Sequence, residues 1–242
     1  MQLRLNPTLR AENFAPTYAA QKFVRIDGLF EPAIADALEA ALKSLPWRLV
    51  TQDDSGKNIL LTGEQLAGLS AAERQRFEDG VRKRAADNVG YFYLAYPMIE
   101  ARLSNWDPGH PIHALTDFLN GPEFIAFAKA IIGDPNITKI DAQASHYNRG
   151  HFLTRHVDDG EKKERRAAYT IGFSRRWEPD WGGLLMFFDK NLDVSSGYTP
   201  RFNALTVFDG LRVHSVSPVS SFAPAPRLSI AGWFRDDAIA KR

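Results

Sequence analysis

The chain has 242 residues, 44% of them hydrophobic and 24% charged, the profile of an ordinary globular protein. Its 30 Lys and Arg against 29 Asp and Glu leave a net charge of +1, which argues against a dedicated nucleic-acid binder. The absence of cysteine excludes disulfides, thiolate metal sites and cysteine nucleophiles, and no run approaches the ~18 apolar residues that would span a bilayer.

Residues 1–20 have no clear period and are expected to lie across the surface. This polar, proline-broken start lacks the apolar core of a signal peptide, so the expected compartment is the cytoplasm. The sequon Asn136-Ile137-Thr138 is accordingly read as chance. KFVRI (22–26) reads as a short strand. Pro32 sits where a helix start tolerates it, Ile34, Leu38, Ala41, Leu42 and Leu45 form a stripe at helical spacing, and Pro46 ends it. The polar stretch 50–65 has the look of a long loop, and residues 51–66 are a candidate lid. Ser70 with Glu73 three residues on resembles a capping box and opens a charged helix. After the break at Asp107-Pro108-Gly109, Pro122 begins a third helix with Gly133 as its C-cap.

Beyond residue 137 the texture changes. Ile140, Ala142 and Ala144 alternate with Asp141, Gln143, Ser145 and Tyr147, the pattern of a half-buried strand. Further β-like runs cover 167–173, 183–189, 203–209 and 227–234, separated by turns such as Trp181-Gly182-Gly183, Ser196-Gly197 and Asp209-Gly210. Short strands at such spacing predict a sandwich, barrel or jelly roll, and helices followed by strands predict an α+β layout. The expected organisation is one domain over 1–242. Residues 1–136 would be mainly helical support and loops, and 137–236 a β core with the helices packed on one side.

With cysteine absent, the histidines are where chemistry is sought. In an extended segment residues i and i+2 project to the same face, so His156-Val157-Asp158 aims an imidazole and a carboxylate together. His214, after the Asp209-Gly210 turn, would complete a two-His, one-carboxylate face of the kind that leaves open positions on non-haem Fe(II). A surface ion pair beside the charged run 158–166 is the alternative at this point. Arg227 and Ser229, two residues apart on one strand face, make a fork and a hydroxyl suited to gripping a carboxylate. Tyr147, upstream of His156, offers a phenolic donor.

The ordered set Tyr147, His156-Val157-Asp158, Trp181-Gly182-Gly183, His214, Arg227-Leu228-Ser229 and Trp233 resembles the Fe(II)- and 2-oxoglutarate-dependent dioxygenases, in their prolyl-hydroxylase-like branch. GHFLTRHVDD, WGGLLMFFD, HSVSPV and RLSIAGWF look especially like the ribosomal-protein prolyl hydroxylases. The resemblance implies a double-stranded β-helix (jelly roll) with His156, Asp158 and His214 as the iron ligands. Arg227 would pair with the distal carboxylate of 2-oxoglutarate, helped by Ser229 and Tyr147, and Trp233 would line the pocket near the iron. It also implies O₂ as cosubstrate and ascorbate as a candidate reductant. The implied reaction is hydroxylation of an unactivated C–H, a prolyl residue of a protein or peptide substrate. A free amino acid or small metabolite as substrate, or a catalytically silent jelly-roll binding module, are the competing readings. Where many prolyl hydroxylases have a second tyrosine after H-x-D, this chain has Gly172 or Phe173, with Tyr169 displaced by some residues.

Neither His151 nor His146 repeats a strand-face spacing with His156, so supporting or surface roles are expected; His110 and His113 are assigned no chemistry. Trp177 and Trp181 are read as core or rim packing. Residues 159–166 are read as a solvated loop, with gripping of substrate as the alternative. No G-x-S-x-G elbow, P-loop, G-x-G-x-x-G or H-E-x-x-H motif occurs, which disfavours hydrolase, nucleotide-binding and zincin readings.

Overall fold

A proline in the first turn, where its missing N–H costs nothing, starts three helices of the computed structural model: α1 (Ala15–Gln21), α2 (Pro32–Lys43) and α7 (Pro122–Ile132). The structure describes residues 2–53, 55–87, 90–160 and 162–237. Asp54 and Glu161, within the candidate lid and the charged run, lie outside the described residues. Gly133 closes α7 in the left-handed region at φ 76°. The Ser70–Glu73 capping box is fully formed and starts α4 (Ala71–Ala86).

The N-terminal half is less purely helical than the sequence suggested. Strand β1 (Phe23–Asp27) is joined by a hairpin, β2 (Arg48–Gln52) and β3 (Asn58–Leu61), in the stretch read as a loop. A helical turn α3 (Gly63–Gly68) follows, capped by Thr62 and Gln65. Strand β4 (Tyr91–Tyr96) and helices α5 (Met98–Leu103) and α6 (Ile112–Leu119) were also not foreseen, nor was α1. The helix α1 buries Tyr18, so residues 1–20 do more than cover the surface.

The C-terminal half supplies β5 (Lys139–Ile140), β6 (Gln143–Tyr147), β7 (Phe152–His156), β8 (Arg165–Gly172) and β9 (Leu185–Phe188). These are followed by β10 (Val194–Tyr198), β11 (Ala204–Phe208), β12 (His214–Val216) and β13 (Arg227–Arg235). The larger sheet runs β1-β11-β8-β13-β6-β4 and the smaller β7-β12-β9-β10, every pair antiparallel. Strand β4 joins them, pairing β6 through Leu94–Tyr96 and β7 through Tyr91 and Phe92. The sheet therefore curls on itself into the jelly-roll double-stranded β-helix.

Alternation along β13 divides its two faces. Leu228, Ile230 and Phe234 turn outward into the main core, against Phe124, Phe127 and Ile131 of α7, Leu38 and Leu42 of α2, and Leu115 and Leu119 of α6. Arg227, Ser229, Ala231 and Trp233 turn into the barrel. Helix packing on one side thus leaves the other face free for polar groups, which is how a strand buried on both sides carries an arginine. No helix among the described residues is long and apolar enough to cross a membrane.

Candidate metal centre and anion pocket

His156 ends β7 and His214 begins β12, and the two are direct cross-strand partners with ring centroids 4.2 Å apart. The chain leaves β7 through Val157, which is exposed, and turns Asp158 inward. The Asp158 N–H donates to the Gly210 carbonyl at 2.7 Å. A β-carbon at Gly210 would lie 2.9 Å from that of Asp158, so glycine lets the loop between β11 and β12 close on the carboxylate. Oδ2 of Asp158 stands 3.2 Å from His214 Nε2, and Oδ1 stands 3.6 Å from His156 Nε2. One ligand atom from each of the three residues lies within 4.8 Å of the others.

The chemistry of this donor set fits a divalent cation. Nδ1 of His156 faces the Thr154 carbonyl at 2.9 Å, and Nδ1 of His214 faces the Arg212 carbonyl at 2.8 Å. A carbonyl only accepts, so each Nδ1 carries the proton and each neutral imidazole presents the Nε2 lone pair inward. Burial, then the neighbouring His214, push His156 below its ordinary value and favour that neutral form. Burial opposes ionisation of Asp158, but without a metal a protonated His214 donates from Nε2 to the carboxylate and, with His156 behind, holds it below the usual range; a bound cation takes the place of that proton. Two lone pairs and a carboxylate converge, an arrangement a cation satisfies. Two histidines and one carboxylate leave coordination positions open, the facial set suited to Fe(II).

These residues line a cavity of about 570 Å³ that also contains Tyr147, Arg227 and Trp233. Arg227 is 4% exposed and pairs with no carboxylate among the described residues. Its Nη1–H donates to Ser229 Oγ at 2.8 Å, Ser229 Oγ lies 2.8 Å from Ser145 Oγ, and Arg227 Nε has no partner. Burial pushes this guanidinium below its ordinary value. Tyr147 stands opposite Arg227 in register, its ring 5.2 Å from the guanidinium carbon and stacked on Tyr93 at 4.7 Å. Burial, then Tyr93, raise the Tyr147 phenol well above its ordinary value, so it stays a neutral donor. A buried, unpaired guanidinium flanked by a phenol and a hydroxyl is a receptor for an anion.

The structure thus brings His156, Asp158, His214, Arg227, Tyr147 and Trp233 around one cavity, with Ser229 behind it, hydrogen-bonded to Arg227. His151 and His146 stand apart from the metal set. His151 is buried edge-on to Phe92 at 4.9 Å and His146 packs on Trp47 at 5.0 Å, so neither is a surface group. His113 Nε2 meets the Trp106 carbonyl, and His110 Nε2 meets Ser44. Trp177 and Trp181 pack beside Tyr147, Val216 and Val219 at the rim. Gly172, not a tyrosine, faces Ser229 across β8; Tyr169 turns outward and donates to the Asp141 carbonyl at 2.9 Å.

Two residues at the site went unread in the sequence. Tyr93 comes from the unforeseen β4 and accepts from Gln143 Nε2 at 3.1 Å. Arg165, taken as part of a solvated loop, begins β8, stacks on Trp233 at 3.6 Å and stands 3.9 Å from Asp158 Oδ1. Nothing in their local sequence marked them, since both act through strands brought together only by the fold.

Residues 142–235 match the family model of the 2OG-Fe(II) oxygenase superfamily. No curated protein matches the chain. Among solved structures, a Pseudomonas putida prolyl-4-hydroxylase is similar with a TM-score of 0.61 at 18% identity, covering 95% of this chain and 100% of that one. A Burkholderia pseudomallei oxidoreductase of the 2OG-Fe(II) oxygenase family gives 0.64 at 13% identity, covering 99% and 97%. A Trichoplax adhaerens prolyl hydroxylase in complex with a hypoxia inducible factor peptide fragment gives 0.62 at 15%, covering 93% and 89%. Matched segment, fold and converged donor set agree: residues 142–235 are similar to the 2OG-Fe(II) oxygenase superfamily, and the whole chain is built on a prolyl-hydroxylase-like fold.

Proposed function

We propose that the protein is an Fe(II)- and 2-oxoglutarate-dependent oxygenase that hydroxylates a prolyl residue in a protein or peptide substrate. His156, Asp158 and His214 hold Fe(II), and Arg227 holds the distal carboxylate of 2-oxoglutarate. The observation that carries the reading is the buried Arg227, without an acid partner among the described residues, opening on the same cavity as the three ligands. When bound, the iron supplies oxidative chemistry with O₂ and the keto acid. The protein's part is to bind and orient. Backbone carbonyls of Thr154 and Arg212 keep the two imidazoles in the ligating tautomer. Ser229 steadies the guanidinium, Tyr147 donates toward the same anion, and Trp233 with the stacked Arg165 forms the wall beside Asp158. A peptide substrate is supported by the Trichoplax adhaerens relative, a prolyl hydroxylase whose structure includes a peptide.

Anaerobic addition of Fe(II) and 2-oxoglutarate should give a visible charge-transfer band that Asp158→Ala lacks. Succinate release should then rise with a proline-bearing peptide and not with free amino acids. The opposite preference would assign a small-molecule substrate, and absence of any band would leave a binding module.

A further inference from the structure

Strand β1 lies outside the predicted jelly-roll strands and extends the larger sheet beyond β11. Its Arg25 stands opposite Thr206, Thr206 opposite Thr170, Thr170 opposite Ala231, and Ala231 opposite Gln143. Cross-strand partners share a face, so a row crosses five strands on the side turned into the barrel. Thr170, Ala231 and Gln143 line the large cavity. Arg25 marks the far end of the row.

Arg25 is held in place there. Its Nε–H donates to Thr206 Oγ1 at 3.4 Å and its Nη2–H to the Thr199 carbonyl at 3.1 Å, with the guanidinium over the Tyr198 ring. The nearest acid is already engaged, because Asp27 pairs with Arg201 at 3.1 Å. Burial, then the charge of Arg201, push Arg25 below its ordinary value. Arg25 and Arg227 both border one small void of about 10 Å³, together with Thr170, Thr206 and Ser229. That is room for about one water molecule. Arg201, already paired with Asp27, borders the same void, so three arginines and no carboxylate surround it.

We propose that Arg25 is a positioning residue for the dicarboxylate cosubstrate, adding positive charge behind Arg227 and acting on the distal carboxylate through Thr206 and Thr170. The inference rests on the reading that Arg227 holds that carboxylate. It explains why a strand outside the jelly roll sends a cation without an acid partner among the described residues toward the closed end of the barrel. It also makes Arg25 mildly unfavourable in the empty protein and favourable once the dianion is bound.

The test titrates the Fe(II)-loaded protein anaerobically with 2-oxoglutarate and with 2-oxopentanoate, the five-carbon keto acid lacking the distal carboxylate. Thermal melting of the empty protein is followed in parallel. Arg25→Met should raise the Kd for 2-oxoglutarate about five- to tenfold. The Kd for 2-oxopentanoate should stay within about twofold, and the melting temperature should hold or rise. Arg25→Lys should recover most of the affinity, and Thr206→Val should weaken 2-oxoglutarate selectively, which keeps the test usable if Arg25→Met folds poorly. Equal weakening of both keto acids with a lowered melting temperature would reduce Arg25 to a structural role and overturn the proposal, as would unchanged binding. Failure of the unaltered protein to bind 2-oxoglutarate would instead remove the oxygenase site reading, and this inference with it.

Discussion

Arg227 and His151 show how burial sets the behaviour of a single ionisable side chain. Arg227 is buried without a carboxylate partner among the described residues, so its desolvation is offset only when an anion arrives. Arg227→Ala should therefore weaken 2-oxoglutarate binding by ~2–5 kcal/mol, the range for losing one partner of a buried charge pair. Binding of the metal alone should change little, and calorimetric titration of each ligand separately checks this. Equal losses would contradict the assigned role. His151 answers to the same physics with the opposite outcome, since burial lowers its imidazole from the ordinary 6.5 to about 4. Between those values the unfolded chain binds the proton and the folded one does not, so stability rises with pH through the window and is lost as pH falls through it. The gap corresponds to about 3 kcal/mol. Chemical denaturation of the metal-free protein from pH 7 to pH 4 should show this loss, and His151→Phe should remove a comparable part of it. An unchanged pH slope in the variant would exclude His151 as its source.

Among the longer helices, α4 is the least anchored. Its capping box is complete, yet in 16 residues it buries only Val81, with Phe77 tilted against Phe92. Ser70→Ala should cost about 1 kcal/mol of local helix stability. Faster amide exchange across 71–86 with an almost unchanged melting temperature is the expected result; loss of global stability would mean the helix is integral to the core. The same contrast governs what was readable beforehand. Proline starts, the Ser70 box and the Gly133 cap are local devices, and they announced α2, α4 and α7 correctly. The alternation of β13 was equally plain. Strand β4, by contrast, bridges two sheets and so buries residues on both sides, which erases the two-residue period. Strand β10 hides its pattern behind a register shift between Val194 and Ser196. Helix α5 is too short to display a stripe, whereas α6 carries one at Ile112, Leu115, Thr116 and Leu119 that went unread. The H-x-D spacing and the Arg-x-Ser pair brought the candidate metal and anion groups within reach of sequence reasoning. Tyr93 and Arg165 stayed out of reach because their neighbours are distant in the chain.

For the molecule as a whole, the two recognition tasks fall on different sheets. The candidate metal ligands belong to the ends of β7 and β12 in the smaller sheet, while Arg227, Ser229 and Tyr147 belong to β13 and β6 in the larger one. A metal bound across the paired His156 and His214 acts as a clip between neighbouring strands. Saturating Mn(II), a non-oxidising stand-in, should stabilise the protein by about 2.7 kcal/mol at a hundred times its Kd. A chelator should reverse the gain and Asp158→Ala should abolish it; a gain that survives that substitution would place the ion elsewhere. The division also separates two ways of failing. On the proposed reading, a molecule whose imidazole ligands have been oxidised would lose its metal while its helix-backed larger sheet, with Arg227 in it, stays assembled. Such a copy would still be folded, so ageing of a preparation would show as lost metal binding before it showed as precipitation.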